Sequence, residues 1–247
     1  MRHPEASDDR DHAALVARQE ADWPPAVVRD VAGWRLRATP GVHRRRSTSA
    51  RPLDPRAGAD GLDDALDAAQ RWARQHDQPL AVQVTDRQPR LDAALAARGW
   101  AADLDSDVMT APCGALAGPA PGVVEGLDDG WRAVHAAVEQ RDDDAATERE
   151  VYARLGGRAR FLQVPGAAVA LAVDSERHVG VFSVATLPGH RGRGHATALL
   201  RAAAQGDPGR TAYLQVLSAS PAVRLYASLG MVRAHGYRYR VRASALE

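Results

Sequence analysis

The sequence predicts an α/β (α+β) chain in two halves, each a mixed central sheet flanked by helices. Three observations predict it. A length of 247 residues suits two domains of ordinary size better than one. Short β-branched runs alternate with helical patterns along most of the chain. The halves also echo each other: LAVQV at 80–84 is followed by LDAALAARGW, and YLQVL from Tyr213 is followed by AVRLYASLGM. Both read as strand, short gap, helix, then glycine and an apolar residue, and a duplicated fold explains that most simply.

In chain order, residues 1–22 are polar and charged, a short helix or a frayed terminus. Residues 33–38 (GWRLRA) read as a strand, with a turn at Thr39, Pro40 and Gly41, and VHRRRSTSARP follows without a clear period. Leu62, Ala65, Leu66, Ala69 and Trp72 recur at helical spacing and predict a helix over 61–75. Residues 80–84 read as a buried strand, and 90–98 as a helix ended by Gly99. Pro, Gly and Ala concentrate in 111–122 as in a linker, so the predicted division is a segment 1–22, a first domain 23–112, a linker 113–121 and a second domain 122–247.

The second half reads as strand 122–125, helices 128–140 and 145–155, strands 160–164, 167–173 and 178–186, helix 196–204, strand 212–217, helix 222–229 and a closing strand 236–242.

Composition excludes several function classes. No apolar run approaches the roughly 20 residues that span a bilayer, and the opening residues lack a signal-peptide core, so no membrane association and a cytoplasmic location are expected. Cys113 is the only cysteine and reads as a linker thiol, which leaves no internal disulfide and no cysteine-based metal site. A formal net charge of +1 gives no overall steering toward nucleic acid. The run Arg44, Arg45, Arg46 reads as a solvated cluster, with contact to an acidic ligand or nucleic acid as the alternative. Lys, Ile and Asn are absent altogether, so every motif that demands Lys is excluded.

The chemistry concentrates in VATLPGHRGRGHATALL at 184–200. A β-branched strand enters a loop containing Gly189, Gly192 and Gly194, and an Ala/Leu helix follows at once. Glycines let backbone N–H groups approach an oxyanion, a helix N-terminus adds about half a positive charge, and Arg191 and Arg193 can add charge-assisted contacts. A nucleotide P-loop is contradicted by His195 in the lysine position, with Thr197 one place late. A dinucleotide fingerprint is contradicted by Thr197 where the third glycine belongs. A plain glycine-rich turn before a helix is the bland alternative.

Arg191-x-x-Gly194-x-Ala196 resembles the pyrophosphate motif of the Gcn5-related N-acetyltransferase superfamily. Leu214-Gln215-Val216 with the run from Ser220 to Met231 resembles that superfamily's later motif at the expected distance. The two cover 179–231, and the first half resembles the degenerate partner in tandem members. The resemblance implies a tandem fold with strands splayed at an acetyl-CoA site in the second half. Val184, Ala185 and Thr186 would meet the pantetheine arm, and Arg191, Gly192, Arg193, Gly194, His195, Ala196 and Thr197 would hold the pyrophosphate. Ser220 and Tyr226 would complete the site, Tyr226 also protonating the departing thiolate unless it merely packs with Leu225 and Leu229.

Two departures stand out. Ser220 occupies the usual Asn position, and Gly180 occupies the position where some relatives carry a glutamate base. No base is therefore evident: His178, two residues earlier on the same strand face, is a candidate, as are Glu176, His135 or an ordered water, and a structural or solvated histidine is the alternative reading of His178. The first half has an acid in its loop, Asp60, and Leu95 in place of Tyr226; it is expected to bind no cofactor and to shape the acceptor site.

The reading is therefore an N-acetyltransferase, monomer or homodimer, that uses acetyl-CoA, no metal, and a small-molecule amine or peptide N-terminus as acceptor. A non-catalytic acyl-CoA-binding or interaction module is the alternative.

Overall fold

The computed structural model describes residues 4–242, with side chains from residue 11 onward. In chain order its elements are α1 (Pro4–Asp22), β1 (Val27–Val31), β2 (Trp34–Ala38), α2 (Arg45–Thr48), β3 (Ala50–Pro52), α3 (Leu62–Gln75), β4 (Ala81–Thr85), α4 (Pro89–Ala97), β5 (Trp100–Pro112), β6 (Val124–Glu125), α5 (Asp129–Glu139), α6 (Asp144–Thr147), α7 (Ala153–Leu155), β7 (Ala159–Val164), β8 (Ala168–Asp174), β9 (His178–Thr186), α8 (His195–Ala203), β10 (Thr211–Leu217), α9 (Ala222–Ser228) and β11 (Val232–Arg242). No helix among the described residues is long and apolar enough to cross a membrane.

The contacts fall into two units. One holds the described residues up to Asp107, Ala145–Arg154, and the described residues from His235 on. Its strand order is β1-β2-β3-β4-β11, then the first part of β5. Ala32 and Gly33 both adopt positive φ, 50° and 76°, which makes the two-residue turn between β1 and β2 a type I′ hairpin. β3 and β4 are parallel and meet at Ala50 and Val82, and β11 lies antiparallel to β4 from Tyr237 opposite Thr85 to Val241 opposite Ala81. The predicted stripe on α3 is buried with Trp34, Leu36, Val82, Leu91 and Leu95.

The other unit holds Val108–Asp144 and Leu155–Ala234. Its order is β5 (second part), β10, β9, β8, β7, β6, antiparallel from β6 to β9 and parallel between β9 and β10. β8 is buried almost throughout, from Ala168 to Val173, because both faces of this central strand are covered. At its end Asp174 is clamped by Arg160 Nε at 2.6 Å and by Arg210 Nη1 at 2.6 Å. Burial alone would raise the Asp174 pKa; the hydrogen bonds from Arg160 and Arg210 outweigh it and hold the carboxyl below its usual value.

These units do not run with the chain. The segment predicted as linker carries a turn of 3₁₀ helix (Cys113–Leu116), and Cys113 and Leu116 are buried in the second unit's core. The closing strand, read from sequence with the second half, serves the first unit from His235 onward. The helix predicted over 145–155 is broken into α6, a π turn (Glu148–Tyr152) and α7. β1, β3 and β5 carried too little alternation to be read in advance: β1 is largely exposed, β3 is three residues long, and β5 places acidic residues along its middle.

Candidate active site

β9 and β10 are paired over only part of their length. Thr211, Ala212, Tyr213 and Leu214 face His178, Val179, Gly180 and Val181; beyond Leu214 and Val181 the strands part, although β9 continues to Thr186 and β10 to Leu217. A bulge helps turn β9 away. Val169 of β8 faces Ala185 and Leu171 faces Phe182, so Ser183 and Val184 together oppose Ala170 alone. Ser183 takes the left-handed conformation (φ 51°) that absorbs the extra residue. The Ala170 carbonyl accepts a hydrogen bond from Trp131 Nε1 of α5 at 3.3 Å, which fixes the strand behind the bulge.

The splayed end of β9 leads into the glycine loop. A 3₁₀ turn (Pro188–His190) ends at Arg191, whose own amide is taken by the Pro188 carbonyl. Gly192 (φ 76°) and Gly194 (φ 80°) then adopt left-handed conformations that a side chain would strain, and Gly194 opens α8 with no side-chain cap. Among the described residues no protein acceptor meets any backbone amide from Gly192 to Thr197; the next amide, Ala198, bonds the Gly194 carbonyl at 3.0 Å. Residues 191–194 are exposed and 195–197 half-buried, so these donors lie open at a helix N-terminus. The exposed Arg191 turns its Nε back to the Thr186 carbonyl at 3.3 Å, and the His195 ring stands 6.2 Å from that of His190.

Tyr226 on α9 is 6% exposed and packs in a cluster with Val181, Leu199 and Leu214, on which Val184 and Val216 of the two parting strand ends also rest. Burial pushes its phenol up to about 12, and among the described residues no protein group hydrogen-bonds the hydroxyl. Ser220 Oγ accepts from the Ala222 amide at 3.2 Å and so starts α9.

The structure brings the 184–186 strand end, the 191–197 loop, Ser220 and Tyr226 into one unit around one splay. It does not bring His178 there. His178 opens β9 where the strand is still paired, roughly 20 Å along the strand from Val184, with its ring edge-on to Tyr213. Sequence reading missed the bulge at Ser183 and what fills the Gly180 face: a side-chain carbon there would lie 2.7 Å from both the Tyr213 hydroxyl and the Phe182 ring. Pairing of Tyr213 with Gly180 across a parallel register is invisible in a linear pattern.

The splayed parallel pair, the bulge and the open amide loop define an acyltransferase of the GCN5-related N-acetyltransferase type. The family model described as probable histone acetyltransferase Rv0428c, C-terminal, matches residues 11–240, and the chain belongs to that family. No curated protein matches the sequence. Among solved structures, a GCN5-related N-acetyltransferase from Kribbella flavida is 16% identical over 94% of this chain and 95% of its own, with a TM-score of 0.70. One from Sphaerobacter thermophilus is 21% identical over 81% and 74%, with a TM-score of 0.58. A tandem GNAT protein from the clavulanic acid biosynthesis pathway is 16% identical over 92% and 86%, with a TM-score of 0.55. At these identities the likeness is one of fold, and it extends over both units.

Proposed function

We propose that the chain transfers acetyl from acetyl-CoA to a primary amine by direct attack. The carrying observation is the run of acceptor-free amides from Gly192 to Thr197 at the start of α8. Their spacing at a helix N-terminus suits a diphosphate, and Arg191 and Arg193 add charge that can swing onto it. The parted end of β9 leaves Val184, Ala185 and Thr186 beside a gap that β10 does not fill, so an amide-bearing pantetheine arm can lie along this edge as an added strand. The Ser220 hydroxyl, while accepting from Ala222, keeps its proton to donate to the same ligand.

When bound, acetyl-CoA supplies an activated thioester. The loop and β9 would position it, which makes a two-substrate transfer effectively unimolecular. Tyr226 donates its phenolic proton to the departing sulfur. The phenol carries its proton at physiological pH, burial makes it a weaker acid than usual, and proximity to a desolvated sulfur must drive the transfer. His178 has no part in this proposal, and an ordered water is the simplest proton acceptor for the incoming amine.

Calorimetric titration with coenzyme A, followed by thiol release from acetyl-CoA across a panel of primary amines and peptides with free N-termini, tests the reading. Micromolar cofactor binding with turnover on at least one amine supports it; absence of cofactor binding overturns it, and binding without turnover on any amine points instead to an acyl-CoA-binding module.

A further inference from the structure

The first unit carries a feature that the acetyl-transfer reading does not use. β1 is the edge strand of its sheet and has β2 as its partner. The type I′ turn sets the register: Val31 with Trp34, Arg29 with Leu36 and Val27 with Ala38 are the hydrogen-bonded pairs, so the N–H and C=O groups of Val28 and Asp30 point away from the sheet. Val27 and Val28 are 40% and 43% exposed, and no lysine, proline or bulge blunts this edge.

Beside it, between β1 and α3, runs a groove of about 590 Å³ with an apolar floor of Val31, Leu36 and Trp72 and a rim of Arg29, Arg71 and Arg74. No acid lines it. Among the described residues none of these arginines makes a hydrogen bond or ion pair, and Asp67, one turn before Arg71, does not pair with it. The Trp72 ring is buried, 8% exposed, and gives the groove an aromatic floor. Three exposed arginines without a protein carboxylate beside an open strand edge suit a ligand that is extended, acidic and rich in acceptors. A second copy of this chain is the wrong occupant, since pairing two β1 edges would bring Arg29, Arg71 and Arg74 against their own counterparts.

We infer that β1 and the arginine groove form a docking site for an acidic peptide segment, which adds as a strand to β1 and lays its carboxylates against Arg29, Arg71 and Arg74. Backbone pairing gives the orientation, and the uncompensated cations select acidic over basic segments.

The test is fluorescence anisotropy with the full chain and a labelled peptide of alternating Glu and Val, against a peptide of alternating Lys and Val. The acidic peptide binds with an affinity that falls as salt rises, the basic one does not bind, and Arg71→Glu together with Arg74→Glu weakens binding by about tenfold or more. Val28→Pro, which removes an outward N–H without touching the β1–β2 ladder, weakens binding to a similar degree while thermal unfolding shows a folded chain. Should that variant fail to fold, amide exchange at Val28 and Asp30 replaces it, slowed by the peptide if the strand is added. Equal binding of the two peptides, indifference to the arginine pair, undiminished binding to folded Val28→Pro, or unchanged exchange overturns the inference.

Discussion

The hydroxyl of Tyr213 sits 2.7 Å from the point where a side-chain carbon on Gly180 would be. The Phe182 ring closes the same space, and Tyr213 is fully buried. The position that holds a glutamate base in some relatives is therefore packed solid here by aromatic rings from β10 and β9. Gly180→Ala should destabilise the chain by about 1–3 kcal/mol, since two rings must move to admit one methyl group. Chemical unfolding measures it; a neutral substitution would show that the aromatic packing is looser than described. Gly180→Glu should lose the second unit rather than gain a base.

Tyr226→Phe keeps the packing with Val181, Leu199 and Leu214 and removes only the hydroxyl, which no protein group among the described residues holds. Stability and coenzyme A affinity should change little, while turnover falls by about 10²-fold, the usual weight of one proton donor. Since burial raises this phenol to about 12, turnover should show no loss from its ionisation at any pH below about 10. Equal turnover by the Phe variant would remove Tyr226 from the chemistry.

Arg191→Glu places an anion at the mouth of the amide loop. Coenzyme A affinity should drop by about tenfold or more, with unfolding stability unchanged because the side chain is exposed and holds only the Thr186 carbonyl. Undiminished affinity would move the diphosphate elsewhere.

Asp174 links β8 to Arg160 and Arg210. Its carboxyl is held below the usual carboxylate value in the folded chain, so its contribution is fully present above the unfolded pKa of about 3.9 and disappears as pH falls through the lower folded value. Asp174→Asn should cost about 1–3 kcal/mol at neutral pH, and the gap to the parent chain should close only in strong acid. A gap that persists there would assign the loss to packing rather than charge.

The second unit was largely legible from its residues, and the first much less so. The strand, glycine loop and helix around residue 190 announce themselves because anion binding needs residue types with special backbone behaviour, and Gly192 and Gly194 adopt the conformations that only glycine takes easily. The α3 stripe was legible for the same reason of period. What could not be read is partnership. Nothing in TAYLQVL says that its tyrosine fills the face of Gly180, and nothing in VRAHGYRYRVR says that it pairs with Ala81–Thr85 rather than with the strands just before it. His178 illustrates the cost: side-chain alternation put it on the expected face, but the pairing register keeps it at the wrong end of the strand.

The antiparallel ladder between β4 and β11 joins residues that flank the whole of the second unit in sequence. A ribosome delivering this chain would release Ala81–Thr85 long before their neighbour, leaving one side of that strand bare until synthesis had passed residue 235. The later-made unit should thus mature first, and a chain stopped after Ala234 should keep a cooperative melting transition for that unit while its opening hundred residues become protease-sensitive.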